Sequence, residues 1–212
     1  MKNFLIVSFM VLLGGCLTKE PLVHVRYEYK QYNREAKSVL TQSEVGTGFF
    51  ISRRGYIVTA AHVIAKGIGP NRSIWVYPNG LKRPRRQAKV IEVDFANDIA
   101  IIKIAPLINR KIYSFCPDVN MDEVVIVKAW RTLSKQITVG HTEKPITMDS
   151  SLYYLISAWS HKGFSGSPVV SYERSCVVGI VTHKGLLTYE GKSFIKHPNS
   201  SKLITYALEN IL

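Results

Sequence analysis

Gly163-Phe164-Ser165-Gly166-Ser167-Pro168 places one hydroxyl between glycines and runs straight into the strand-like segment Val169 to Tyr172. Glycines on both sides let the backbone approach a substrate carbonyl closely and aim amide N–H groups at one spot, the geometry that an oxyanion requires. An ordinary Gly/Ser-rich turn has the same composition. The hexapeptide therefore acquires chemical meaning only from the segments around it.

Outward from this turn, short runs rich in Val, Ile, Tyr and Phe recur between Gly, Pro, Asn and Asp. Upstream they are Val45 to Ile51, Tyr56 to Ala60, Ser73 to Tyr77, Gln87 to Val93 and Ile99 to Ile104. A second set comprises Glu123 to Trp130, Gln136 to Gly140, Leu152 to Ala158, Val169 to Tyr172, Cys176 to His183 and Lys192 to Lys196. Strand-length runs at this spacing predict an all-β fold, a sandwich or a barrel. Between the sets, Ala105 to Asp122 carries two prolines and reads as a crossing from one unit to the next. After Asn199-Ser200-Ser201, apolar residues at Leu203, Ile204, Ala207, Leu208, Ile211 and Leu212 follow helical spacing behind good N-cap residues, so a C-terminal helix is expected. Pro21 to Ser43 is polar, basic and tyrosine-rich without clear period, and is expected to be a tether.

The amino terminus has its own signature. Lys2 precedes the apolar stretch Phe4 to Leu13, a positive n-region and short h-region of the kind that directs export; a bilayer span needs about 20 residues. Leu13-Gly14-Gly15-Cys16 resembles the lipobox of bacterial lipoproteins, which implies acylation of Cys16. A plain signal peptide with an incidental cysteine is the other reading. Leu17 rather than Asp follows the cysteine, which in a Gram-negative host implies an outer-membrane lipoprotein facing the periplasm. Cys116 and Cys176 then remain, and an oxidising compartment would permit them to pair, although spacing does not decide whether they meet. No Cys-x-x-Cys or His-x-x-x-His pattern occurs, so no metal and no cofactor are expected.

The 212 residues are 46% hydrophobic and carry a formal net charge of +13, densest in Lys82-Arg83-Pro84-Arg85-Arg86-Gln87-Ala88-Lys89. That run contains a proline, lies between two strand-like segments and lacks the interleaved aromatics of single-strand binders. It reads as a solvated hairpin beside an anionic membrane surface, with no nucleic-acid partner.

Two further motifs decide the chemistry. Thr59-Ala60-Ala61-His62 closes one apolar segment behind Gly46-Thr47-Gly48-Phe49-Phe50-Ile51, and Asn97-Asp98 opens another, Ile99-Ala100-Ile101-Ile102-Lys103. An acid at the mouth of an apolar strand is costly unless it accepts hydrogen bonds, and an imidazole N–H is a fitting donor. With TAAH, NDIAIIK and GFSGSP in this order, the chain resembles the chymotrypsin-fold serine proteases, especially their compact bacterial and viral members. The resemblance covers Val45 to Leu212. It implies two β-barrels and a triad of His62, Asp98 and Ser165, with an oxyanion hole from the N–H groups of Gly163 and Ser165. Gly179 to His183 resembles the strand along which substrates lie, which would bring the Thr182 hydroxyl near Asp98.

The chain accordingly divides into a lipoprotein signal peptide (residues 1–15), a tether (16–43), an N-terminal β-barrel (44–110), a C-terminal β-barrel (111–198) and a helix (199–212). It is expected to act on protein or peptide substrates as a monomer held to the membrane by its N-terminal lipid. Two alternatives stand beside this reading. One is an α/β-hydrolase with Ser165, Glu190 and His197, which leaves TAAH and NDIA unexplained. The other is a catalytically silent protease-fold lipoprotein that serves as a binding module, since fold alone does not guarantee function.

Specificity is legible in outline. Phe164 occupies the position where digestive relatives hold an activation aspartate, so no activating cleavage is expected. Trp159 stands where Arg- and Lys-selective relatives keep a pocket aspartate, so a basic side chain would find no counter-charge. Lys162, His183 and Lys184 are expected beside the substrate. The turn also resembles the Gly-x-Ser-Gly-Ser-Pro of glutamyl endopeptidases, although Val181 replaces their pocket histidine. Acidic or, with Trp159 filling the pocket, small residues are the resulting expectations.

Overall fold

The computed structural model describes residues 19–33, 37–70, 72–80, 84–131, 134–148, 151–182 and 193–197. Twelve strands form two closed antiparallel barrels. The first holds β1 (Leu22–Asn33), β2 (Ser38–Phe50), β3 (Tyr56–Ala60), β4 (Arg72–Tyr77), β5 (Arg86–Asp94) and β6 (Ile99–Lys103), in the order β1-β2-β3-β6-β5-β4. The second holds β7 (Val124–Arg131), β8 (Ser134–Met148), β9 (Ser151–Ile156), β10 (Pro168–Ser171), β11 (Val177–Val181) and β12 (Ser193–Lys196), in the order β10-β11-β12-β9-β8-β7. Closure removes the exposed edges that an open sheet would leave. The expected all-β, two-barrel chymotrypsin-like architecture is thus present. The expected terminal helix and signal peptide lie outside the described residues.

The segment read as a tether is instead barrel wall. β1 pairs with β2 from Leu22↔Phe49 to Asn33↔Ser38 and with β4 from His24↔Tyr77 to Tyr29↔Arg72, so the barrel cannot close without it. Val23, Val25 and Tyr27 fill the first core with Phe50, Ile57, Ile64, Ile74 and Ile102. The period of two was masked because Leu22 and His24 are buried as well; a strand start covered on both faces loses its alternation.

The second core packs Val125, Val127, Ala129, Ile156, Phe164, Val169, Val178 and Ile195. Between the barrels lies a third cluster in which Phe49, Val58 and Ile101 meet Val170, Val177 and Ile180. The crossing segment is tied down twice. Phe115 bridges Val177, and Cys116 is disulfide-bonded to Cys176, with Cα atoms 5.2 Å apart. Beside the disulfide, Arg174 clamps Asp118 at 2.7 Å and Glu123 at 2.6 Å. Burial alone would raise the Glu123 carboxyl, but its bonds to Arg174 and Ser171 hold it below the usual range.

Candidate active site

His62 follows β3 directly, in the short helix α1 (Ala61–Ala65), and Asp98 immediately precedes β6. Since Ala60 pairs with Ile99, both side chains emerge at the same end of the first barrel. Asp98 turns back through a left-handed conformation (φ 55°), and its carbonyl accepts the Ala61 N–H at 3.1 Å. Its carboxylate then accepts the His62 backbone N–H at 2.9 Å and faces Nδ1 at 2.8 and 3.0 Å. A carboxylate only accepts, so Nδ1 is the donor of this pair.

The second barrel supports Asp98 from behind. Lys196, buried at the end of β12, donates to Asn97 Oδ1 at 3.3 Å and lies 4.0 Å from the centre of the Tyr153 ring. Asn97 in turn donates its backbone and side-chain N–H groups to the Asp94 carboxylate at 3.0 and 2.8 Å. The turn that presents Asp98 is therefore braced on both sides.

Ser165 sits on the turn leading to β10. Gly166 has φ +83°, and a Cβ there would collide with the Thr47 carbonyl and the Thr59 hydroxyl, so the residue after the hydroxyl has to be glycine. Gly46 is required for a different reason, because a Cβ would come within 2.8 Å of the Ser165 carbonyl oxygen. The N–H groups along the turn divide into two sets. Phe164 donates to the His161 carbonyl at 2.9 Å, Gly166 to that of Val181 at 2.8 Å and Ser167 to that of Phe164 at 2.8 Å. Those of Gly163 and Ser165 donate to no acceptor among the described residues.

Thr47, fully buried on β2, grips the turn at both ends. Its N–H donates to the Ser165 carbonyl at 2.9 Å and its hydroxyl donates to the Gly163 carbonyl at 2.8 Å. The same hydroxyl accepts the Trp130 N–H of β7 at 2.9 Å. This role is not legible in the sequence, because the partners of Thr47 are distant in the chain.

A cleft of about 300 Å³ brings these parts together, lined by Glu44, Val45, His62, Val63, Lys162, Gly163 and Ser165. Glu44 pairs with Lys66 at 3.5 Å. Of the expected substrate-binding residues, Lys162 lines the cleft. Trp159 is not among the lining residues: it is 57% exposed and packs edge-on against His161, with ring centres 4.6 Å apart. Thr182 is buried, but its hydroxyl has no hydrogen-bond partner among the described residues. The Thr182 N–H is directed at the Phe194 carbonyl, 3.4 Å away. His183, Lys184 and Cys16 lie outside the described residues.

Residues 46–180 match the family model of the trypsin-like peptidase domain. The chain belongs to the trypsin-like peptidase family. No curated protein matches it. Membership carries a serine protease-type hydrolase function and peptide substrates. It also disposes of the α/β-hydrolase alternative, whose His197 lies instead beside Cys116 and Asp118, remote in role from the peptidase cleft.

Proposed function

We propose that the chain is an exported, lipid-anchored serine endopeptidase working through His62, Asp98 and Ser165. Ser165 Oγ attacks the scissile carbonyl carbon while His62 Nε2 takes its proton, and Asp98 holds the imidazole tautomer and stabilises the imidazolium. The C–N bond breaks as His62 returns the proton to the leaving amine. Water then attacks the acyl-enzyme by the same route and regenerates Ser165. The unspent N–H groups of Gly163 and Ser165 receive the oxyanion, each such donor being worth about 10²–10³ in rate. The observation that carries this reading is the His62–Asp98 pairing at the mouth of a cleft shared with Ser165.

Phe164 is fully buried in the second core, which leaves no acid beside the nucleophile to await a freed amino terminus. The peptidase is therefore active as exported. With Lys162 on the cleft wall and no aspartate at position 159, side chains other than Arg and Lys are preferred before the cut, acidic ones foremost. The Cys116–Cys176 disulfide suits an oxidising compartment, in keeping with export and anchoring through Cys16. A peptide library incubated with wild type and Ser165→Ala tests activity and preference together. Cleavage should vanish in the variant, and dominant cutting after Arg or Lys would defeat the specificity claim. Labelled palmitate should enter the wild type and not Cys16→Ala.

A further inference from the structure

The first barrel has two dissimilar ends. His62 and Asp98 mark one. At the other, five strand residues away and so roughly 13 Å along the sheet, lie the start of β1, the β2–β3 turn, the β4–β5 turn and the 104–114 segment. Backbone bonds knit these pieces together: Lys19 N–H to Asn109 O at 3.0 Å, Lys111 N–H to Lys19 O at 3.1 Å, Ile104 N–H to Gly55 O at 3.1 Å and Tyr113 N–H to Phe50 O at 2.9 Å.

The chemistry of this end is one-sided. Lys19, Arg53, Arg54, Arg86 and Lys111 are exposed there. Glu20 is the one acid among the described residues of these segments, and Lys135 already pairs with it at 2.5 Å. A cavity of about 400 Å³ opens between Lys19, Pro78, Pro84, Arg86, Leu107 and Arg110. Arg110 is buried against it, bonded to the Glu20 carbonyl and the Asn79 amide oxygen, with Nε unpartnered among the described residues. Burial pushes its guanidinium below the ordinary range, so an incoming anion would relieve it. On the same cavity wall Ile108 is 88% exposed, ahead of Asn109, which turns the chain with φ 57°. An apolar side chain at a turn tip, sharing its cavity wall with Lys19 and Arg86, suits the boundary between headgroups and acyl chains.

The position of the chain selects the occupant. Lys19 is three residues from Cys16, a reach of at most about 11 Å, so a lipid on Cys16 brings this end, and not the cleft, to the bilayer. We propose that the end of the first barrel built around Lys19, Ile108 and the cations Arg53, Arg54, Arg86 and Lys111 is a docking surface for an anionic phospholipid bilayer. The Ser165 cleft then opens toward the aqueous side, where soluble polypeptides reach it. This deepens the proposed function and rests on Cys16 as the anchor for its orientation.

The test uses the full chain in vesicles of phosphatidylcholine alone or mixed with phosphatidylglycerol, with p-benzoylphenylalanine in place of Ile108 or, as a control, of Lys144 on the second barrel. After irradiation, lipid adducts are counted by mass spectrometry. On anionic vesicles the yield at position 108 should exceed that at 144 at least fivefold. Each surface cation contributes about fivefold in membrane affinity, so Arg86→Gln with Lys111→Gln should lower the yield at 108 at least fivefold. The charge-matched pair Lys128→Gln with Lys144→Gln should leave it within about twofold. Equal yields at both positions, or equal losses from the two charge pairs, would overturn the docking face in favour of diffuse attraction by the net charge. Intact mass of the same protein reads the acyl state of Cys16. An unacylated Cys16 with the adduct at 108 retained would count against the anchor and leave the docking face standing.

Discussion

In the first barrel His62 and Asp98 meet because two paired strands end side by side, and the bonds between them are made within that barrel, with Lys196 of the other barrel bracing the neighbouring Asn97. Ser165 is held differently. Its barrel fixes the downstream side of the turn through β11, where Val181 exchanges bonds with Gly166 and Ser167, while Thr47 of the other barrel fixes the carbonyls of Gly163 and Ser165. The His62–Asp98 pair is thus formed inside one barrel and only braced by the other, whereas the Ser165 turn is gripped directly by both. The barrels also differ in what stabilises them. The second has the Cys116–Cys176 bond and the half-buried Glu123–Arg174 pair, and the first has a buried histidine, His24.

The largest expected effect breaks the pair formed inside the first barrel. Asp98→Asn keeps the shape but favours the wrong imidazole tautomer, so kcat should fall about 10⁴-fold. A loss below tenfold in single-turnover kinetics would mean that Asp98 does not orient His62. Next, Thr47→Val removes the hydroxyl that grips Gly163 while keeping the shape of the side chain. A displacement of the turn on the order of 1 Å costs about 10²-fold. The loss should fall on kcat rather than KM, and Thr47→Ser should restore most of it. A merely structural role would lower the melting temperature in both variants without that split.

Two smaller effects separate the barrels by stability. The disulfide closes a sequence separation of 60 residues, for which chain entropy predicts about 4 kcal/mol. Reduction, or Cys116→Ala with Cys176→Ala, should lower the denaturation midpoint by a corresponding amount. His24 works through pH. Burial, and secondarily the charge of Arg26, pushes its pKa from 6.5 down to about 4, and neither ring nitrogen finds a partner among the described residues. Above pH 6.5 the imidazole is neutral folded or unfolded. As pH falls from 6.5 toward 4 the unfolded chain takes up a proton that the folded one refuses, so about 3 kcal/mol is lost across that window. Glu123, held low, withdraws its contribution only as pH falls below its ordinary value of 4.5. His24→Leu should flatten the denaturation midpoint between pH 6.5 and 4, and an unchanged slope would show that His24 is not its source.

Most of the fold was legible because the strands from Tyr56 onward carry clean apolar runs between Gly, Pro and Asn. β1 was not, since Leu22 and His24 are buried beside Val23 and Val25 and the tyrosines and lysines that follow look like linker. At the cleft, the proximity of His62, Asp98, Ser165 and Gly163 was legible because each sits in a short motif whose neighbours are constrained: Gly166 by its left-handed turn, Ala60 and Ile99 by pairing. Thr47 and Lys196 could not, because their roles arise from contacts across the barrel interface, between residues far apart in sequence.

If the two halves form one nucleophilic site, a fluorophosphonate applied to the full chain should react at Ser165, as read by peptide mapping. A single adduct on Ser165 is expected in the wild type, none in Ser165→Ala, and labelling slowed by orders of magnitude in His62→Ala. No adduct on the folded wild type, or equal labelling in Ser165→Ala, would contradict it.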